Sequence, residues 1–99
     1  MIFIKVYNTH PKIIAIADAE LIGKYFEEGK MQINVDERFY KGKQYSEEEA
    51  RKLIKQFAED YCSFNIVGKK AIAIAIELGI VEKENILYIQ GIPVALALT

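Results

Sequence analysis

The sequence predicts an α+β fold: one domain over residues 1–99, with a small mixed sheet of about four to five strands and three helices in the order β-β-α-β-α-α-β. Three observations lead there. Alternating, β-branched and aromatic runs stand at both ends of the chain; helical spacing behind a capping signal fills the second half; and no repeat, low-complexity segment or linker divides the sequence.

Ile2 to Tyr7 alternates about Lys5 and predicts a strand. Thr9-His10-Pro11 predicts a turn, because proline and the restricted residue before it disfavour continuation. Lys12 to Ala17 predicts a second strand, close enough to pair with the first as a hairpin. Asp18 is read as a helix N-cap with Glu20 in the first turn, the helix running through Leu21, Ile22, Tyr25 and Phe26 to a stop at Gly29. Glu27 and Glu28 fall at its end, where the helix dipole disfavours acids.

Met31 to Val35 predicts a third strand and Asp36 to Tyr45 a loop. Ser46 and Glu49 form a capping box ahead of Leu53, Ile54, Phe57 and Tyr61 at helical spacing. The helical signal continues toward Leu78, but a single helix of that length would measure about 50 Å. Such a rod would protrude from a domain whose radius of gyration is about 13 Å. The reading therefore breaks it around Asp60 to Asn65, leaving a second helix over Ile66 to Leu78. Ala71 to Ile76 alternates like a strand, yet Gly68-Lys69-Lys70 before it and Gly79 after it favour a buried helix. Glu84-Asn85 turns into a strand at Ile86 to Ile89, and Gly91-Ile92-Pro93 leads an apolar tail to Leu98.

Composition excludes more than it assigns. At 52% hydrophobic and 27% charged the chain is globular, and its length supports a core without disulfides or metal. A net charge of −1 gives no global field to draw in nucleic acid or anionic membrane, so such binding needs a local patch. One cysteine, Cys62, excludes an internal disulfide and suits a reducing cytoplasm. Met1 to Lys5 does not read as a signal peptide, and no apolar run is long enough to span a membrane. Abundant Ile, Lys and Glu without Trp fit a heat-adapted organism, and an AT-rich genome as well.

Catalytic and metal signatures are missing. His10 is the single histidine, distant in sequence from Cys62, and zinc sites draw on several such ligands. Asp18 and Glu20 suit a helix start better than a catalytic pair, and neither Gly23-Lys24 nor Gly68-Lys69 has the upstream glycine of a phosphate loop. No catalytic residue, cofactor or metal site is assigned.

The segment Arg38 to Tyr45 is the strongest local feature, with three cations, three aromatics, one glycine and no acid. Cations that meet phosphates beside rings that stack on bases are what a single-stranded contact needs. The plainer reading is a solvated turn around Gly42 with its rings in the core. Three blocks also set a glycine beside a lysine: Asp18 to Lys24, Phe39 to Gly42, and Asn65 to Lys69. In each, glycine permits close backbone approach, either to a ligand or simply to a packed neighbour.

In this order and spacing the blocks resemble an uncharacterised archaeal family, domain of unknown function 424. The resemblance extends from Lys5-Val6-Tyr7 through Leu78 to Val81 and Glu84-Asn85-Ile86 to Gly91-Ile92-Pro93. Members often carry a cysteine where this chain has Ala17 and a histidine where it has Val94, so a reaction needing either group is not implied here. The resemblance implies an archaeal cytoplasmic protein and a helix over residues 66–78, and it implies no activity.

Two readings of function follow. The first is a non-enzymatic module for RNA or a ribonucleoprotein. Lys24, Arg38, Lys41, Lys43, Lys69 and Lys70 would meet phosphates, Tyr40 and Tyr45 would stack or hydrogen-bond, and Asn65 would read a base edge or cap a helix. The second is a protein-interaction or self-assembling subunit, a homodimer for instance, pairing through the tail from Ile92 to Leu98, whose plainer role is a terminal strand closing the core. A small enzyme without a recognisable motif ranks third.

Overall fold

The chain folds around a pair of parallel strands. In the computed structural model, which describes residues 1–99, β2 (Lys12–Asp18) lies parallel to β6 (Cys62–Val67) at the centre of a six-stranded sheet. Both strands are almost continuously apolar and buried, as strands covered on two faces must be. Around them the order is β5-β1-β2-β6-β8-β7, with β1 (Ile2–Tyr7), β5 (Lys43–Tyr45), β7 (Leu87–Ile89) and β8 (Ile92–Leu98), and every other pairing is antiparallel.

One sheet face carries the helices α2 (Glu47–Ala58) and α3 (Lys69–Glu77). Sixteen buried residues form this core, with Ile4, Ile14, Ile16, Phe64 and Ile66 from the sheet meeting Ile54 of α2 and Ile72 of α3. The opposite face holds six: Ala15, Ala17 and Val67 from the sheet, with Leu21, Val35 and Tyr40 above them. That thinner layer is built by the one-turn helix α1 (Glu37–Tyr40) and a separate hairpin of β3 (Tyr25–Glu28) and β4 (Met31–Asn34).

Several expectations hold. The first two strands pair as an antiparallel hairpin, Ser46 and Glu49 complete a capping box, residues 71–76 are helical, and the long helical signal is broken. The tail is a strand inside the sheet, paired with β6 on one side and β7 on the other.

Four expectations are corrected. The sheet has six strands plus the two of the hairpin, more than the four to five expected. The helix expected from Asp18 to Phe26 is a single 3₁₀ turn at Ala19–Leu21 followed by β3. Gly23, at φ +83°, ends the turn, and the Gly23 N–H donates to the Val35 carbonyl (2.8 Å), starting the hairpin instead. Gly29, at φ +61°, then holds the first of two turn positions between Glu28 and Met31, a place that favours glycine. The helix expected from Ile66 starts only at Lys69, because Cys62 to Val67 is the central strand β6. Finally, the loop expected over Asp36 to Tyr45 contains α1, capped where the Asp36 carboxylate accepts the Arg38 N–H (2.8 Å), and the edge strand β5. The resulting order departs from β-β-α-β-α-α-β by β3 in place of the first helix and by the added α1, β5, β6 and tail strand β8.

Candidate functional site

The basic-aromatic segment divides between solvent and core. Tyr7 donates to the Phe39 carbonyl (2.9 Å) and Lys5 to the Arg38 carbonyl (2.6 Å), so α1 is fastened along β1. The Phe39 ring stacks on Tyr7 with centroids 5.2 Å apart and meets Tyr40 edge-on at 4.9 Å. Gly42 is needed for packing: a Cβ there would collide with the Ile4 carbonyl and stand 2.7 Å from the Lys5 Cα. Arg38 is exposed, with Asp36 at 3.5 Å, and Lys41 pairs with Glu37 at 3.2 Å. Lys43 is exposed on β5, while Tyr45 packs half-buried against the helical core.

Tyr40 turns inward. It is 5% exposed, and burial pushes its phenol pKa up, so the ring acts as a neutral hydrogen-bonding group. It lines a pocket of about 360 Å³ between the second sheet face and the hairpin, and Asn65, on β6 opposite Leu96 of β8, lines the same pocket. Gln32 of β4 and Asn85 add two more carboxamides, and Leu87 and Leu96 bring exposed apolar side chains. Val94, which follows Gly91-Ile92-Pro93, also lines it.

The hairpin is held over this region by Gln90. Gln90 and Gly91, at φ +52° and +78°, are the two central residues of the turn from β7 to β8. The Gln90 N–H donates to the Glu28 carboxylate (2.6 Å), and its Nε2 donates to the Glu27 carbonyl (2.7 Å). Glu27 and Glu28 thus serve as a clasp rather than as a helix end.

Lys69 and Lys70 stand elsewhere, at a second pocket of about 290 Å³ with Asp18, Glu20, Leu21 and Ile92. There the Asp18 carboxylate accepts the N–H groups of Lys70 (3.0 Å) and Ala71 (2.8 Å), capping α3 from the end of β2. Gly68, at φ +113°, makes the approach feasible, since a Cβ on it would collide with the Asp18 carboxyl. Burial raises the Asp18 pKa, against the lowering pull of those two N–H groups. A phosphate at this helix end would have to displace a built-in anion.

Of the residues singled out from sequence, the structure thus brings Tyr40 and Asn65 to one pocket and Lys69 and Lys70 to another. Lys24, Arg38, Lys41, Lys43 and Tyr45 line neither. The pocket residues that sequence reasoning missed are Gln32, Asn85, Leu87 and Leu96. Glu84-Asn85 carries only a turn signal, and β3, the partner of the strand that holds Gln32, has helical spacing. Cys62 is buried and its thiol pKa is raised by that burial, which disfavours the reactive thiolate.

The fold recurs in a crystal structure of an uncharacterized conserved protein from Methanopyrus kandleri, with a TM-score of 0.85 and 19% identity over 98% of this chain and 90% of that one. No curated protein matches the chain. A family profile described as "Protein of unknown function (DUF424)" matches residues 7–99, and the chain belongs to that family.

Proposed function

We propose that the protein is a non-enzymatic binding module whose partner is RNA or a ribonucleoprotein. The observation that carries this reading is the two-sidedness of α1. Its Tyr40 lines the carboxamide-rich pocket, while Arg38 on the same turn, and Lys41 and Lys43 just after it, stand in solvent. Exposed cations next to a neutral hydrogen-bonding pocket suit a strand whose phosphates and bases are contacted separately. Lys69 and Lys70 contribute less to this reading, because Asp18 already satisfies the helix end beside them.

Fluorescence anisotropy with fragmented total RNA at low salt tests it. Replacing Arg38, Lys41 and Lys43 by Gln should leave the fold intact and flatten the salt slope of log affinity by about 2, since each phosphate contact on a single strand contributes about 0.7. Absence of wild-type binding, or an unchanged slope in the triple variant, rejects the reading.

A second reading, self-association, draws on the exposure of Leu96 (74%) and Leu98 (64%) at the end of β8. Sedimentation of a Leu98→Lys variant against the wild type separates the two.

A further inference from the structure

We propose that the pocket beneath the hairpin is a binding site for one uncharged, flat, hydrogen-bonding ring, of which a nucleobase is the fitting class. This deepens the RNA reading and rests on it only for the source of the base.

The lining chemistry narrows the ligand. No charged side chain lines the pocket, which leaves phosphate, carboxylate and ammonium groups without a counter-charge. Metal ions lack the carboxylate, imidazole or thiolate ligands they need there. An aliphatic ligand would waste three carboxamides, from Gln32, Asn65 and Asn85, that come from three separate elements. Each carboxamide presents a donor beside an acceptor, which matches the edge of a heterocyclic base. The apolar side chains of Leu87 and Leu96 suit the faces of such a ring. At about 360 Å³ the space is at the small end for ligand pockets, fit for a ring rather than a whole nucleotide.

Tyr40 supplies the second, independent observation. The residue is 95% buried, yet its hydroxyl hydrogen-bonds to no other residue. No sealed polar atom in the molecule lacks a partner, so this oxygen keeps an opening, and the pocket is the space that the residue lines. Asn65 is half-buried and its amide is likewise unengaged, whereas Gln32 Oε1 already accepts from the Tyr25 hydroxyl (2.6 Å). Both groups are open to solvent, so a base that displaces their water can take up hydrogen bonds that no other residue of the chain uses.

The test is a ¹H–¹⁵N titration of the full chain with adenosine, guanosine, cytidine and uridine, and with ribose 5-phosphate as a control. At least one nucleoside should bind with a dissociation constant of about 1 mM or tighter, moving the amides of Gln32, Asn65 and Leu96, while the sugar phosphate moves none of them. Asn65→Leu should weaken that binding about tenfold, and Tyr40→Phe, which removes a single hydroxyl and keeps the ring, by about threefold to tenfold. Should Asn65→Leu fail to fold, Tyr40→Phe and the exposed Asn85→Ala carry the same comparison. Competition by RNA fragments assigns the base to a strand; nucleoside binding without RNA binding keeps the pocket and rejects the RNA reading. RNA binding indifferent to Tyr40→Phe, with no nucleoside bound, rejects the pocket and keeps the RNA reading.

Discussion

The two faces of the central sheet differ in depth. The helical face buries sixteen residues under two helices; the other buries six under one turn of helix and a two-stranded hairpin. Neither β3 nor β4 contains a buried residue, and only Phe26 and Ile33 are half-covered. A thick face and a thin one divide the work. The first provides the hydrophobic stabilisation, and the second leaves a gap in which polar groups remain unengaged. The contrast also predicts unequal local stability, since a segment with little buried apolar surface opens at less than the global free energy.

The largest expected effect tests that inequality directly. Phe64 is fully buried on the helical face, and Phe64→Ala should destabilise by about 3–5 kcal/mol. Ile33→Ala, on the hairpin, should cost about 1–2 kcal/mol because its side chain is only half-removed from water. Urea unfolding followed by far-UV circular dichroism measures both. Equal losses would mean that the hairpin belongs to the same cooperative core, and the division between the faces would collapse.

The same division explains what the sequence revealed. Where local signals and packing agree, sequence and structure coincide: β1 alternates about Lys5, β2 is an apolar run within hairpin reach of it, and Ser46 with Glu49 marks the start of α2. Tyr25 and Phe26 sit at helical spacing from Leu21 and Ile22, and only the positive φ of Gly23 and its bond to Val35 turn that spacing into a strand. Cys62 to Asn65 reads as a break between two helices and Ile66-Val67 as the start of the second, because nothing local shows that β2 waits for this segment as a parallel partner. In the candidate site, Tyr40 and Asn65 both stand among the residues expected to contact RNA, in separate blocks of the sequence. Their meeting depends on a crossover through β3, β4, α1, β5 and α2, which carries no short-range signature.

Asp18 joins the two faces, ending β2 on the helical side and leading into the 3₁₀ turn that starts the other. Asp18→Ala would leave the Lys70 and Ala71 N–H groups without an acceptor, one of them fully buried, and should cost about 1–3 kcal/mol. Asp18→Asn keeps one acceptor oxygen and should cost less. The pH dependence has a defined sign. Burial raises the Asp18 pKa, so the folded chain binds this proton more tightly than the unfolded one. Its contribution to stability is full below the unfolded pKa and declines as pH rises through the folded one. The advantage of the wild type over Asp18→Asn should therefore be greatest in acid and narrow toward neutrality, as thermal melts across that range would show. A gap that widens with pH would mean that the two N–H bonds outweigh burial.

The smallest effect is the most discriminating. The Ser46 hydroxyl accepts the Glu49 N–H (3.1 Å), and the Glu49 carboxylate accepts the Ser46 N–H (2.9 Å), fixing the start of α2. Ser46→Ala should cost about 0.5–2 kcal/mol. Because α2 supplies Ala50 and Ile54 to the thick core, that loss should lower the hydrogen-exchange protection of the slowest amides in β2 and β6 by the full amount. Amides of β3 and β4 should not change, since on this view they exchange through an opening of the hairpin that leaves α2 and its cap in place. Were they to lose the same protection as β2 and β6, the hairpin would open only with the whole chain, and the thin face would be as cooperative as the thick one. Agreement would instead identify the cover of the Tyr40 pocket as the first part of the molecule to move.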